Sequence, residues 1–231
     1  VSEISIKNLS NLPESSLRYT RRVSIPMIGE VYDYYWNVSG ILSSGRLTCL
    51  SGDIGDGAAS LSYTLAGELK SRTGQICIDG KKTGKKELSK TGIVVGYDYS
   101  GWRKRSVRSQ LTMALSEGNP YGISSIAQLM KLFRLTEERL DRPLYRCSVE
   151  RPPATIAIGL AQGKRIFSFP WLNPVYIEYH LDYWLGRSLS VLKDYDVWVI
   201  LPTDEPRVLT GVADDVLEVQ GLFHRMCAEE S

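Results

Sequence analysis

The chain has 231 residues, 43% hydrophobic and 23% charged, ordinary proportions for a globular protein large enough to bury a core. A formal net charge of +2 gives no global pull toward nucleic acid or an anionic membrane. Apolar runs such as residues 164–171 and 196–202 fall far short of the roughly 20 residues that span a bilayer, so direct membrane insertion is not expected.

Strand-like runs come first, at residues 3–8 (EISIKN), 22–26 and 46–50 (RLTCL). A glycine-rich turn, SGDIGDG, leads into a helical stretch over 58–70, then a strand over 75–80 that ends in a turn signal. Residues 81–90 are lysine-rich and read as a solvated hairpin or loop. A strand over 92–96 precedes a long helical region, 107–146, in which Leu129, Leu132, Phe133 and Leu140 fall on a helical period. The remainder alternates: helix 154–162, strand 165–169, helix 176–192, strand 197–201, a short helix near 206–213 and a strand over 216–219. Strands separated by helices imply crossover connections and a largely parallel sheet.

Cys49, Cys77, Cys147 and Cys227 lie far apart with no C-x-x-C pair, which suits reduced thiols and gives no metal site. With only His180 and His224, a histidine-based catalytic constellation has little to draw on. No charged-then-apolar leader opens the sequence, and a start at Val1 leaves room for an upstream segment.

The phrase RLTCLSGDIGDGAAS, followed by TGQICIDGKK, SVERPPATIAIGLA, RIFSFPWLNP, VWVILPTDEP and VADDVLEVQG, resembles an ABC-transporter nucleotide-binding cassette across about residues 40–223. The resemblance implies an α/β fold of the P-loop NTPase type: a mainly parallel central sheet, an N-terminal antiparallel β-subdomain and an inserted α-helical subdomain. It implies one domain over 1–231, with the core in about 1–97 and 154–231 and the helical part in about 98–153.

The family's chemistry needs a phosphate loop G-x-x-G-x-G-K-[ST], a Walker B acid pair, a signature LSGGQ and a switch histidine. Here Gly52, Gly55 and Gly57 keep the glycine frame, but Ala58 and Ala59 stand at the lysine and Mg²⁺-ligand positions, with Ser60 one residue late. Asp56 sets a carboxylate within the frame, where it would repel phosphate. Ser168 and Phe169 occupy the Walker B acid positions, Thr203 or Asp204 the switch position, and Gly96 or Tyr97 the Q-loop position. The signature retains Ser148 but has Val149 and Glu150 where the glycines belong. Tyr32 and Tyr34 have the best spacing for an adenine-stacking aromatic, although Tyr32, Tyr34, Tyr35 and Trp36 read more simply as strand aromatics packed on the β-subdomain.

These departures lead to the expectation of a cassette without ATPase activity, bound cofactor or metal. It is expected to act as a structural or regulatory subunit on the cytoplasmic face of a membrane, against a permease and a second cassette of the same or a different chain. Trp102, Arg103, Lys104 and Arg105 form the candidate contact segment. The alternatives are a free-standing protein-interaction module and a weak nucleotide binder or atypical ATPase.

Overall fold

A computed structural model describes residues 1–12, 15–22, 28–97 and 105–221. The strands are β1 (Glu3–Ser10), β2 (Leu17–Arg22), β3 (Ile28–Asp33), β4 (Val38–Ser43), β5 (Leu47–Ser51), β6 (Thr73–Ile78), β7 (Lys81–Thr83), β8 (Gly92–Val94), β9 (Ile166–Ser168), β10 (Trp198–Thr203) and β11 (Asp215–Glu218). They form a sheet in the order β4-β1-β6-β7, a second in the order β11-β5-β10-β9-β8, and a separate β2–β3 pair. Every pairing in the second sheet is parallel, whereas the pairings in the other two are antiparallel. A parallel sheet must be covered on both faces. Its central strands β5, β9 and β10 accordingly read as continuous buried runs.

Helix α1 (Ala58–Leu65) lies between the sheets, with Ala58, Leu61 and Leu65 packed among Ile4, Ile76, Leu50 and Ile200. It is buried nearly all round, so small residues dominate its surface. The helix is shorter than expected because Gly67 takes φ +80 just beyond its C-cap. A Cβ on Gly67 would stand 2.1 Å from the Ser89 nitrogen, so only glycine permits this approach.

The opposite face of the parallel sheet carries the larger core. There α6 (Arg151–Ala161), α7 (Pro174–His180) and α8 (Gly186–Asp194) meet the shorter α3 (Val107–Ser116), α4 (Ile126–Phe133) and α5 (Glu137–Leu140). The expected long helical region over 107–146 is therefore broken. Gly118 and Gly122 take positive φ around Pro120, Arg134 ends α4 in the left-handed region, and Pro143 stops the next turn. Asn119 uses this break to donate its side-chain amide to the carbonyls of Leu160 and Ala161 at the end of α6, at 2.7 and 3.0 Å.

Two other expectations change. The lysine-rich stretch is not a hairpin or loop throughout: after β7 it forms α2 (Lys85–Thr91), anchored by buried Leu88, with its lysines left on the solvent side. The helix expected over 176–192 is interrupted by a π-turn at Leu181–Leu185, which joins α7 to α8.

Candidate functional site

The glycine turn at 52–57 forms the loop between β5 and α1 that its composition predicts. Gly57 sits at the helix N-cap with φ +91, and Gly55 has φ +107. The loop presents backbone N–H groups beside a helix N-terminus, an arrangement suited to an anion. Here the anion belongs to the chain. The last residue of β3, Asp33, is buried, and its Oδ1 accepts the amides of Gly55 at 2.9 Å and Gly57 at 3.0 Å. Its Oδ2 accepts the amide of Ser60 at 2.7 Å. Two more loop amides are taken locally, Asp53 N by the Asp56 carboxylate at 3.1 Å and Ile54 N by Asp53 Oδ1 at 2.6 Å.

Burial pushes the Asp33 carboxyl above its ordinary value, while the amides of Ser60, Gly55 and Gly57 and the Ser60 hydroxyl pull it back. The Ser60 hydroxyl also donates to the Asp33 carbonyl and accepts the Leu17 amide at 3.0 Å, which fastens both strands of the β2–β3 pair to the start of α1. Ser60, one residue too late for a metal ligand, thus clamps the strand that delivers Asp33. The approach is close: a Cβ on Gly57 would lie 2.3 Å from the Tyr35 nitrogen.

The aromatics beside Asp33 divide. Tyr35 is buried, and its hydroxyl donates to Thr64 Oγ1 at 2.9 Å, in keeping with packing on the β-subdomain. Trp36, expected to pack with it, is 43% exposed because the chain turns away before β4. Tyr32, a stacking candidate, carries the Arg18 guanidinium 5.2 Å from its ring centroid.

At the remaining motif positions, Ala58 and Ala59 are buried at the first turn of α1 and offer no charge. Ser168 ends β9 with its hydroxyl buried and unpartnered, and Phe169 follows in the core. Thr203, at the end of β10, accepts the Gly52 amide through its carbonyl at 3.0 Å, and Asp204 is exposed beyond it. Trp171 closes over the loop entrance with an indole hydrogen bond to the Gly52 carbonyl at 3.1 Å.

The signature segment is a 3₁₀ turn, Ser148–Glu150, with Ser148 at φ +48 and Val149 half exposed. The Glu150 carboxylate is engaged within the chain. It accepts Thr136 N and Oγ1 at about 3 Å and lies 3.6 Å from Arg139 Nε. Trp102, Arg103 and Lys104 lie outside the described residues, whereas Arg105 is exposed and donates to Met113 Sδ at 3.2 Å.

MgATP does not fit this loop as it stands. The amides of Gly55, Gly57 and Ser60 already serve a carboxylate, no lysine occupies position 58, and Ser168 offers a metal no carboxylate. Sequence inspection missed Asp33 because it lies 22 to 27 residues from the amides it caps. Its only signal is a single acid among four aromatics, in VYDYYW.

No known protein-family profile matches the chain. It is 22% identical over 193 residues to a putative ABC transporter ATP-binding protein of Saccharolobus solfataricus, a match that covers 80% of this chain. The chain spans only 36% of that relative's length. Among solved structures, it resembles part of an ABC transporter complex from Clostridium perfringens, with a TM-score of 0.64 and 16% identity over 98% of this chain and 91% of that one. A putative ABC transporter ATP-binding protein from Pyrococcus furiosus gives 0.62 and 18%, covering 94% and 97% of the two chains. A dimeric bacterial ABC transporter cassette gives 0.62 and 15%, covering 94% of each. The fold is that of an ABC cassette, with its parallel sheet, antiparallel sheet and helical segments.

Proposed function

We propose that this chain is an ABC-type cassette that does not turn over ATP and serves as a structural or regulatory subunit of a transporter. One observation carries the reading: the Asp33 carboxylate occupies the three loop amides that an anionic ligand would need. Substitution of the lysine alone would leave an open, weakened anion nest. A built-in carboxylate instead satisfies the nest internally, so nucleotide entry must first displace a buried, multiply bonded side chain.

The chain docks on a membrane permease and pairs with a second cassette, as the dimeric cassette and the transporter-complex component among its structural relatives suggest. Its place is then peripheral, on the cytoplasmic face; among the described residues no helix is long and apolar enough to cross a membrane. A contact surface is available on α7 and the π-turn, where Val175, Tyr179 and Tyr183 are 74%, 76% and 62% exposed at helical spacing. An exposed aromatic stripe of this kind marks an interaction surface.

The test is calorimetric titration of the full chain with MgATP, together with recovery of the chain from native membranes. No saturable binding and co-recovery of a multi-span membrane protein are expected. A dissociation constant below about 1 mM, or turnover by the isolated chain, would overturn the reading.

A further inference from the structure

A cavity of about 370 Å³ lies between the start of α6, the end of β9 and the α7–α8 pair, lined by none of the residues of the 52–57 loop. That volume falls within the range of small-molecule sites, about 300–1,000 Å³. Phe169, Tyr176 and Trp184 contribute aromatic rings to a wall otherwise lined by aliphatic and proline side chains such as Val95, Leu172 and Pro170. Among the described residues, three buried polar atoms on its lining find no hydrogen-bond partner: Arg151 Nε, His180 Nδ1 and Trp184 Nε1. The indole N–H stands near the Tyr176 hydroxyl but closes no well-formed bond with it. Buried polar groups in native proteins are almost always satisfied, so three orphans around one cavity call for an absent partner.

The backbone around the cavity is irregular in two separate places. Ser148 holds a left-handed φ of +48 without being glycine. The π-turn at Leu181–Leu185 runs directly between His180 and Gly186, and a Cβ on Gly186 would lie 2.4 Å from the Leu181 carbonyl oxygen. The turn inserts an extra residue into an otherwise continuous helix and brings both His180 and Trp184 to the cavity. Such π-turns concentrate at functional sites, as does backbone strain.

We propose that this cavity binds a small organic anion with a flat apolar body, its carboxylate held by Arg151 and its ring set against Phe169, Tyr176 and Trp184. A guanidinium matches a carboxylate fork, and among the described residues Arg151 has no ion-pair partner. Pro152 and Pro153 remove two N–H groups from the first turn of α6, so anion recognition falls to side chains while the positive helix end still favours the charge. Burial lowers the His180 pKa, so a neutral imidazole is available to hydrogen-bond the ligand. The site goes beyond the function proposed above and holds whether or not the cassette hydrolyses ATP.

The experiment is ¹⁹F NMR titration of the full chain near neutral pH with 4-fluorobenzoate, and with 4-fluorobenzyl alcohol as its uncharged counterpart. The benzoate is expected to saturate in the millimolar range and the alcohol to bind at least about tenfold more weakly. Arg151→Gln should weaken the benzoate by about tenfold or more, and Tyr176→Trp, which fills the cavity, should abolish its binding, with thermal unfolding measured on both variants. The wild-type comparison of the two probes needs no variant and so stands even if either fails to fold. No saturation by the benzoate up to about 20 mM, equal binding of the two probes, or benzoate binding unchanged in either folded variant would overturn the proposal.

Discussion

Asp33 Oδ1 accepts the Gly57 amide at 3.0 Å, and the same strand end passes so near Gly57 that a Cβ there would meet the Tyr35 nitrogen at 2.3 Å. The loop and the β2–β3 pair are thus fitted to one another through a charge and a missing side chain at once. Removing either half of the fit has a distinct consequence.

Asp33→Ala should leave three amides without an acceptor, those of Gly57 and Ser60 buried and that of Gly55 partly buried. An unsatisfied buried group costs about 1–3 kcal/mol, and entering water recovers part of it, so a net loss of at least about 2 kcal/mol is expected. The vacated nest should then bind sulfate or pyrophosphate. In thermal unfolding, the variant should gain stability with added sulfate while the wild type does not respond specifically. Equal responses of the two proteins would show that Asp33 is not what closes the nest.

Gly57→Ala should be at least as damaging, because the residue holds φ +91 and its new Cβ would collide with backbone that cannot rotate away. A loss of more than about 2 kcal/mol in urea unfolding is expected. A near-neutral result would mean that the β3 end does not sit against the loop as described.

Ala58→Lys alone should create neither MgATP binding nor hydrolysis, since Asp33 remains in place and Ser168 supplies no carboxylate for a metal or for an attacking water. The double variant Ala58→Lys with Asp33→Ala should recover binding but still no turnover. A coupled ATPase assay and calorimetry on both proteins check this. Hydrolysis by the single variant would place the catalytic groups elsewhere in the chain.

Much of the fold was legible because it is written in local patterns. The glycine frame, the buried runs at 47–51 and 198–203, and the alternation behind them specify the parallel sheet and its loop. The segmentation of residues 107–146 was also written, in Gly118, Pro120, Gly122 and Pro143, but helical spacing of Leu129 and Phe133 outweighed it in the reading. Ala58, Ala59 and Ser168 were equally visible at the positions where the resemblance implies a lysine, a metal ligand and an acid. The carboxylate that fills the loop was not, because its role arises only when β3 crosses the N-terminus of α1. Glu150 is a related case, since its pairing with Thr136 and Arg139 is set by tertiary packing around a one-turn helix.

Acid should act through Asp214, which pairs with Lys193 at 2.7 Å and accepts the Leu47 amide at 2.7 Å. Burial pushes its carboxyl up, but Lys193, the Leu47 amide and Arg46 together outweigh this and hold it below its ordinary value of 3.8. With the folded value depressed, the unfolded chain binds the proton more readily. The stability Asp214 contributes is therefore present above pH 3.8 and lost as pH falls through the lower folded value. The melting-temperature gap between wild type and Asp214→Asn should hold from neutral pH down to about 5 and shrink toward pH 3. A gap that widens on acidification would contradict the sign.

The exposed aromatics give a prediction about assembly. Tyr179→Ser with Tyr183→Ser should leave the isolated chain's melting temperature within about 2 °C of wild type, since exposed substitutions rarely exceed about 0.5 kcal/mol. Recovery of the membrane-bound complex should fall severalfold. A large drop in melting temperature would assign both rings to the fold instead.

Under the proposed function, the Asp33 contact also sets the order in which mutations could open the loop to a nucleotide. A mutation that introduces lysine at position 58 while Asp33 remains meets a closed loop and gives selection nothing to favour. A mutation that removes Asp33 first strips three amides of their acceptor and loses stability before any ligand compensates. Each single change is silent or harmful, and only the combined change could be useful. The contact therefore works as a ratchet: while an internal carboxylate fills the loop, no single step at these two positions opens it to a nucleotide, even though the backbone amides that could serve one are in place.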